Sequence, residues 1–319
     1  MFLKINLRPV SLAMSALVLI SSFFWGIFFP DYMNNTEKVT EIPGLNEGFV
    51  PQGSTKFEDE DIYVICGYTE SADASRIYLI GHDETRVIFL NKQNGEVYSG
   101  HAGGITVSGD YVYISNAHKL FVLDKKELLN AGDKETLSFT GSVDVPCNSS
   151  FCSCDGNRIY VGEYHAKDYE TDESHTMKTP DGSEYQALVF GYDVNADEPF
   201  GIASSPSVAY SVCDKVQGFA VTPDSKAVLS VSGGMITSKL KKYDINGESD
   251  YEFVLNGQSI PLYYLDSFRF EKEMTIPRMS EDLECCNGKI LVAFEAGSSK
   301  FISRFVPFCE KHQVLINVD

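Results

Sequence analysis

One stretch of this chain is written twice. Residues 51–80 read PQGSTKFEDEDIYVICGYTESADASRIYLI and residues 216–245 read VQGFAVTPDSKAVLSVSGGMITSKLKKYDI. The pairs Gln52-Gly53 and Gln217-Gly218 recur, as do Asp59 and Asp224 seven residues beyond each glutamine, the apolar alternation, and a later Ser-Arg or Ser-Lys. A unit of this size buries no apolar face by itself, so the repetition requires stacked or radial units that share a core.

The remaining copies are found by their shape: a turn residue, an apolar alternation, then a change of chemistry. DIYVICGY begins at 61, DYVYISNA at 110, NRIYVGEY at 157, KAVLSVSG at 226 and KILVAFEA at 289, at spacings of 49, 47, 69 and 63 residues. A short strand precedes each run (53–56, 103–108, 149–153, 218–222, 283–286), and a third follows each (75–80, 118–123, 187–192, 238–243, 300–305). Outer strands are expected at 86–90, 137–145 and 208–212, and residues 125–129 alone suggest a helix. The pattern predicts an all-β chain folded as a five-bladed β-propeller, with a two-sheet sandwich as the alternative. Ring closure falls to residues 313–318 or to the segment before Pro43.

Lys4 and Arg8 precede residues 10–29, twenty positions without a charge, and Pro30-Asp31 follows. That length spans a bilayer, and the basic flank predicts that the rest of the chain lies outside the cytoplasm. Phe23-Phe24-Trp25 and Phe28-Phe29 stand where a cleaved secretory signal needs small residues, so a single-pass signal-anchor in the cell membrane is expected over a secreted form. Residues 1–35 are then anchor or signal, and 36–319 the ectodomain, with the polar residues 33–40 as its tether.

The 45 acidic residues outnumber 26 basic ones for a net charge of -19, and removing Lys4, Arg8 and Asp31 leaves 24 against 44, or -20. Phosphate backbones need clustered Lys and Arg, so a nucleic-acid partner is excluded. The eight cysteines allow disulfides or buried thiols in an exported body. Without a CxxC spacing they give no metal motif.

Propeller connectivity brings the start of each first strand and the end of each second strand to one face, around the axis. The second-strand ends are Gly67, Asn116, Glu163, Ser232 and Glu295, and the first-strand starts bring Gln52, His101 with Gly103 and Gly104, Ser150, Gln217 and Ser280-Glu281-Asp282. Glu163 and Glu295 form a candidate catalytic pair, because two nearby carboxyls can hold different pKa values for acid and base work. The candidate ligand-binding residues are Gln52, His101, Asn116, His165, His175, Gln217 and Ser232. His165 and His175 lie in the 164–186 insertion, which carries six acidic residues. The Gln-Gly pairs have a structural alternative: glycine for close backbone approach near the axis, glutamine as a strand-end cap.

From Phe49-Val-Pro-Gln-Gly through Ser75-Arg76-Ile-Tyr the chain resembles the opening blade of the bacterial and plant glutaminyl cyclotransferases, which are exported five-bladed propellers. The resemblance implies cyclisation of N-terminal glutaminyl peptides. It is confined to the first blade, and His101-Ala-Gly-Gly-Ile has no glutamate where that family places its catalytic one. The blade rhythm also resembles uncharacterised secreted propellers of Gram-positive bacteria, which implies a fold and a compartment. No nucleophile triad, phosphate loop or dense metal-ligand motif appears, so no cofactor is expected. The expected function is binding of a small polar molecule, sugar or peptide at the channel mouth, with a cyclotransferase or glycosidase as the enzymatic alternative.

Overall fold

The computed structural model describes residues 24–233, 237–302 and 308–319. Each repeat forms a blade whose strands run outward from the axis in sequence order. Blade one is Phe49–Phe57, Ile62–Thr69, Arg76–Ile80 and Thr85–Asn91; blade two is Gly104–Ser108, Tyr111–Asn116, Lys119–Asp124 and Gly141–Asp144. Blade three is Ser149–Cys154, Arg158–Glu163, Ala187–Asp193 and Val208–Val212; blade four is Val216–Val221, Lys226–Val231, Ser238–Asp244 and Phe270–Ile276.

Blade five joins both ends of the chain. Ser280–Cys286, Lys289–Phe294 and His312–Ile316 form its three inner strands, and Thr36–Glu41 pairs antiparallel with His312–Ile316 as the outer one. Two expectations are corrected here. The third strand was expected at 300–305, of which 303–305 lie outside the described residues: Ser299–Ile302 is a helical turn that follows the Glu295–Gly297 turn, with Phe301 N donating to Ser298 O, and His312–Ile316 takes the third place in the sheet. Residues 36–40 are no tether, since they close the ring.

The second-strand runs are nearly all apolar because both faces of each blade are buried. Along Ile62–Thr69, Val64 and Cys66 pack toward blade two with Ile105 and Ile114, while Ile65 packs toward blade five with Ala293. The same division recurs between blades two and three around Tyr113, Val161 and Phe190, three and four around Tyr160 and Phe219, and four and five around Val228, Leu283 and Val292. Five clusters for five interfaces make a closed ring with no exposed inner sheet face. Beyond the repeat, the hairpin Tyr251–Leu255/Gln258–Tyr264 adds to blade three by parallel pairing with Val208–Val212, and Thr136–Ser138 adds to blade one.

Cys66, Cys147 and Cys152 are buried in these interfaces, where burial raises their pKa. Most of the apolar segment 10–29 lies outside the described residues. No helix among the described residues is long and apolar enough to cross a membrane. Phe29 and Tyr32 pack with Trp25 and Phe308 against blade five, and Tyr32 Oη donates to Glu310 at 3.1 Å.

Candidate functional site

Near the axis the backbones crowd, and the two Gln-Gly pairs show how. A Cβ on Gly53 would lie 2.5 Å from Ile105 N and 2.6 Å from Gly104 Cα; one on Gly218 would lie 2.7 Å from Leu283 N. Glycine here is a requirement of close approach. The inner edge of a first strand has no further strand to pair with, so its N–H groups need other acceptors. Blade five supplies two of them: Asp282 Oδ2 accepts from Ile105 N of blade two at 3.1 Å, and Glu284 Oε1 from Cys154 N of blade three at 3.2 Å. Burial foremost raises the pKa of both carboxyls well above the usual range.

At one end of this plugged axis each first strand except that of blade two carries a β-bulge. Pro51 pairs with Gly67 and Gly53 with Cys66, so Gln52 is the extra residue; Ser150 and Gln217 are extra in blades three and four, and Glu281 with Asp282 in blade five. A bulged residue is released from the ladder and its side chain is re-aimed. Gln52, Ser150 and Gln217 accordingly line a cavity of about 580 Å³, with His101, Asn116, Ser232, Glu295, Tyr68, Tyr164, Tyr169 and Lys300 around it.

Six of the nine residues singled out in the sequence therefore meet: Gln52, His101, Asn116, Gln217, Ser232 and Glu295. Glu163 does not, and the pairing register explains why. Glu163 pairs with Ser149 just before the bulge, where Gly67, Val231 and Phe294 stand in blades one, four and five. The residues that follow, Tyr68, Tyr164, Ser232 and Glu295, form the rim together with Asn116. A shift of one residue turns a strand's side chains to the other face. Glu163 is thus buried in the blade, where Oε1 meets His175 Nδ1 at 2.6 Å and accepts from Leu188 N at 3.1 Å. The same pair accounts for His175. His165 sits apart, 2.9 Å from Asp214.

The carboxylate that Glu295 meets is Glu281, the bulge residue of its own blade. Glu281 is fully buried, and burial with the adjacent Glu295 charge holds its proton well above the ordinary range. Glu295 is itself raised to about 7 by burial, against the pull of Lys300, the Gln52 amide, Glu281 and Arg278. Gln52 Nε2 donates to Glu295 Oε2 at 3.2 Å and to Pro51 O at 3.0 Å. Across the rim, Lys300 Nζ donates to Tyr68 Oη at 2.6 Å and lies 4.6 Å from the ring centroid. His101 stacks on the Tyr68 ring at 4.6 Å, and burial and Lys300 lower its pKa, which keeps it neutral. Tyr164 and Tyr169 meet edge to face at 5.5 Å on the side of the long insertion.

The sequence reading missed Tyr68, Tyr164, Tyr169 and Lys300.

No family model matches the chain. No curated protein matches it either, so the resemblance to the glutaminyl cyclotransferases rests on the first blade alone. Among solved structures it is similar to the PQQ-bound aldose sugar dehydrogenase of Streptomyces coelicolor, at 14% identity over 88% of this chain and 96% of that one, with a TM-score of 0.45. It is similar to a Thermus thermophilus oxidoreductase named as a glucose dehydrogenase (12% identity, 88% and 98% covered, TM-score 0.43). A Bacteroides thetaiotaomicron protein of unknown function gives 11% identity, 89% and 75% covered, and a TM-score of 0.41. These likenesses go no further than the fold.

Proposed function

We propose that the protein binds a small polar ligand in the rim cavity, on a body held outside the cytoplasm by residues 10–29. The observation that carries the reading is the Gln52–Glu295–Glu281 arrangement. A bulge glutamine and the Glu295 carboxyl stand at the cavity, outside the ladder, with the Glu281 carboxyl buried against Glu295. The site is concave, and its neutral donors and acceptors are set among aromatic faces, as small-molecule sites are. A ligand that binds the native state raises its stability by mass action, by about 2.7 kcal/mol at a hundred times its Kd. The test is thermal unfolding of the full chain in detergent with sugars, amino acids and short peptides, repeated on Glu295→Gln and Gln52→Ala. The expected result is a ligand-induced rise that both variants lose. A rise that both keep places binding elsewhere.

The Glu295 pKa of about 7 supports a second reading, general acid–base catalysis, with Glu281 in place of Glu163. In that reading Glu295 accepts a proton from a substrate N–H or O–H at neutral pH, while Glu281 keeps its own. Cyclisation of a glutaminyl peptide would then release ammonia, and an ammonia assay with such a peptide separates turnover from binding alone.

A further inference from the structure

Two opposite charges share the cavity without pairing with each other. Glu295 spends its contacts on the Gln52 amide and the Glu281 carboxyl, and Lys300 donates a hydrogen bond to the Tyr68 hydroxyl; no ion pair joins the two, although they stand five residues apart on one segment. Lys300 Nζ has three donors, of which Tyr68 takes one. On the other side, Gln52 directs both of its described hydrogen bonds through Nε2, to Glu295 and Pro51 O, which leaves the Oε1 acceptor beside a carboxylate. Charges kept apart in a partly desolvated site cost more than a closed pair does. A ligand that carries both signs offsets that cost at each end.

We infer that the ligand is a small zwitterion, its ammonium on Glu295 and Gln52 Oε1 and its carboxylate on Lys300, as in a free amino acid or a very short peptide. This rests on the reading of the cavity as a binding site and narrows its ligand class. His101 suits the role because it is neutral and adds no third charge to the rim. The neutral donors Asn116, Ser150, Gln217 and Ser232 lie around the wall, where they can take the ligand's remaining polar atoms.

The site has a pH signature. The groups that face Glu295 are Glu281 and Arg278 of blade five, Lys300 of the following turn, Gln52 and Tyr68 of blade one, and Tyr164 of blade three. Below about 7 a proton on Glu295 competes with the ligand's ammonium. For a single competing proton, affinity is then about tenfold weaker at pH 6 than at pH 8.

The experiment is calorimetric titration of the full chain with L-alanine, diglycine and 4-aminobutanoate, which offer three separations of the two charges. Each is compared with its N-acetyl and its amide derivative, which keep one charge, and with glucose, which has none. The expected result is that one zwitterion binds at least tenfold more tightly than both of its derivatives and loses about tenfold from pH 8 to pH 6. Lys300→Met should narrow the zwitterion's advantage over its amide derivative, and Glu295→Gln should lose the tight binding at pH 8 and with it the pH dependence. Unfolding curves of both variants check that they fold. If glucose or a singly charged derivative binds as well as the zwitterion, the inference falls and the small-ligand reading stands. If no compound binds, both fall.

Discussion

Asp282 lies on the axis with one oxygen on the Ile105 N–H and the other, Oδ1, without a partner among the described residues. Burial foremost, then the neighbouring Glu284, raises its pKa far above that of an unfolded aspartate, while the N–H groups of Ile105, Leu283 and Cys152 pull the other way. A carboxyl protonated in the folded state and ionised in the unfolded one stabilises fully below the unfolded pKa, near 4. That stability is lost as pH rises toward the folded value, at about 1.4 kcal/mol per pH unit. Asp282→Asn keeps the volume and the acceptor for Ile105 N, and it does not titrate. Urea unfolding at pH 5, 6 and 7 should therefore show the parent losing more stability than the variant as pH rises, by up to about 1.4 kcal/mol per pH unit. The variant should be the more stable protein at neutrality. Parallel pH profiles, or a variant less stable at pH 7, would refute the argument. Either result would mean that the three N–H donors hold Asp282 ionised and that burial is not the dominant effect.

Gly53→Ala should destabilise by about 3 kcal/mol or more, because its Cβ meets backbone of blade two at 2.5 Å and backbone yields little; chemical unfolding measures it. Glu163→Gln should cost roughly 1–3 kcal/mol through its contacts with His175 and Leu188 N and leave ligand affinity unchanged, which calorimetry beside unfolding tests. Deleting residues 1–41 removes the outer strand of blade five and uncovers His312–Ile316, whereas deleting residues 1–23 leaves it in place. Circular dichroism and size-exclusion chromatography should show a folded monomeric peak only for the shorter deletion.

The blade count was legible because every second strand is buried on both faces, so Val, Ile, Tyr and Phe run through it without interruption. Its turns were legible too: Asp61, Gly109, Gly156, Ser225 and Asn287 all adopt positive φ at the hairpins, where the sequence shows small or turn-forming residues. What escaped notice lies outside the repeat. The hairpin Tyr251–Leu255/Gln258–Tyr264 keeps Tyr251 and Val254 exposed, so it lacks the apolar alternation of a blade strand. Ser299–Ile302 reads as β by composition, yet a turn at Glu295 and the Ser298 carbonyl wind it into a helical turn. In the site, counting from the hairpin turn set Glu163 level with Glu295, whereas the bulge sets Tyr164 there. One residue of register separates a buried structural carboxyl from one at a cavity.

The bulges also have a consequence for how such a rim can vary. Gln52, Ser150 and Gln217 belong to strands whose pairing resumes on either side of them, so the ladder does not depend on which side chain they carry. The residues that line the cavity and the residues that keep the blades in register are different residues on the same strand. Specificity can therefore be rewritten at these positions, by natural drift or by a designer, while the ring around them folds as before.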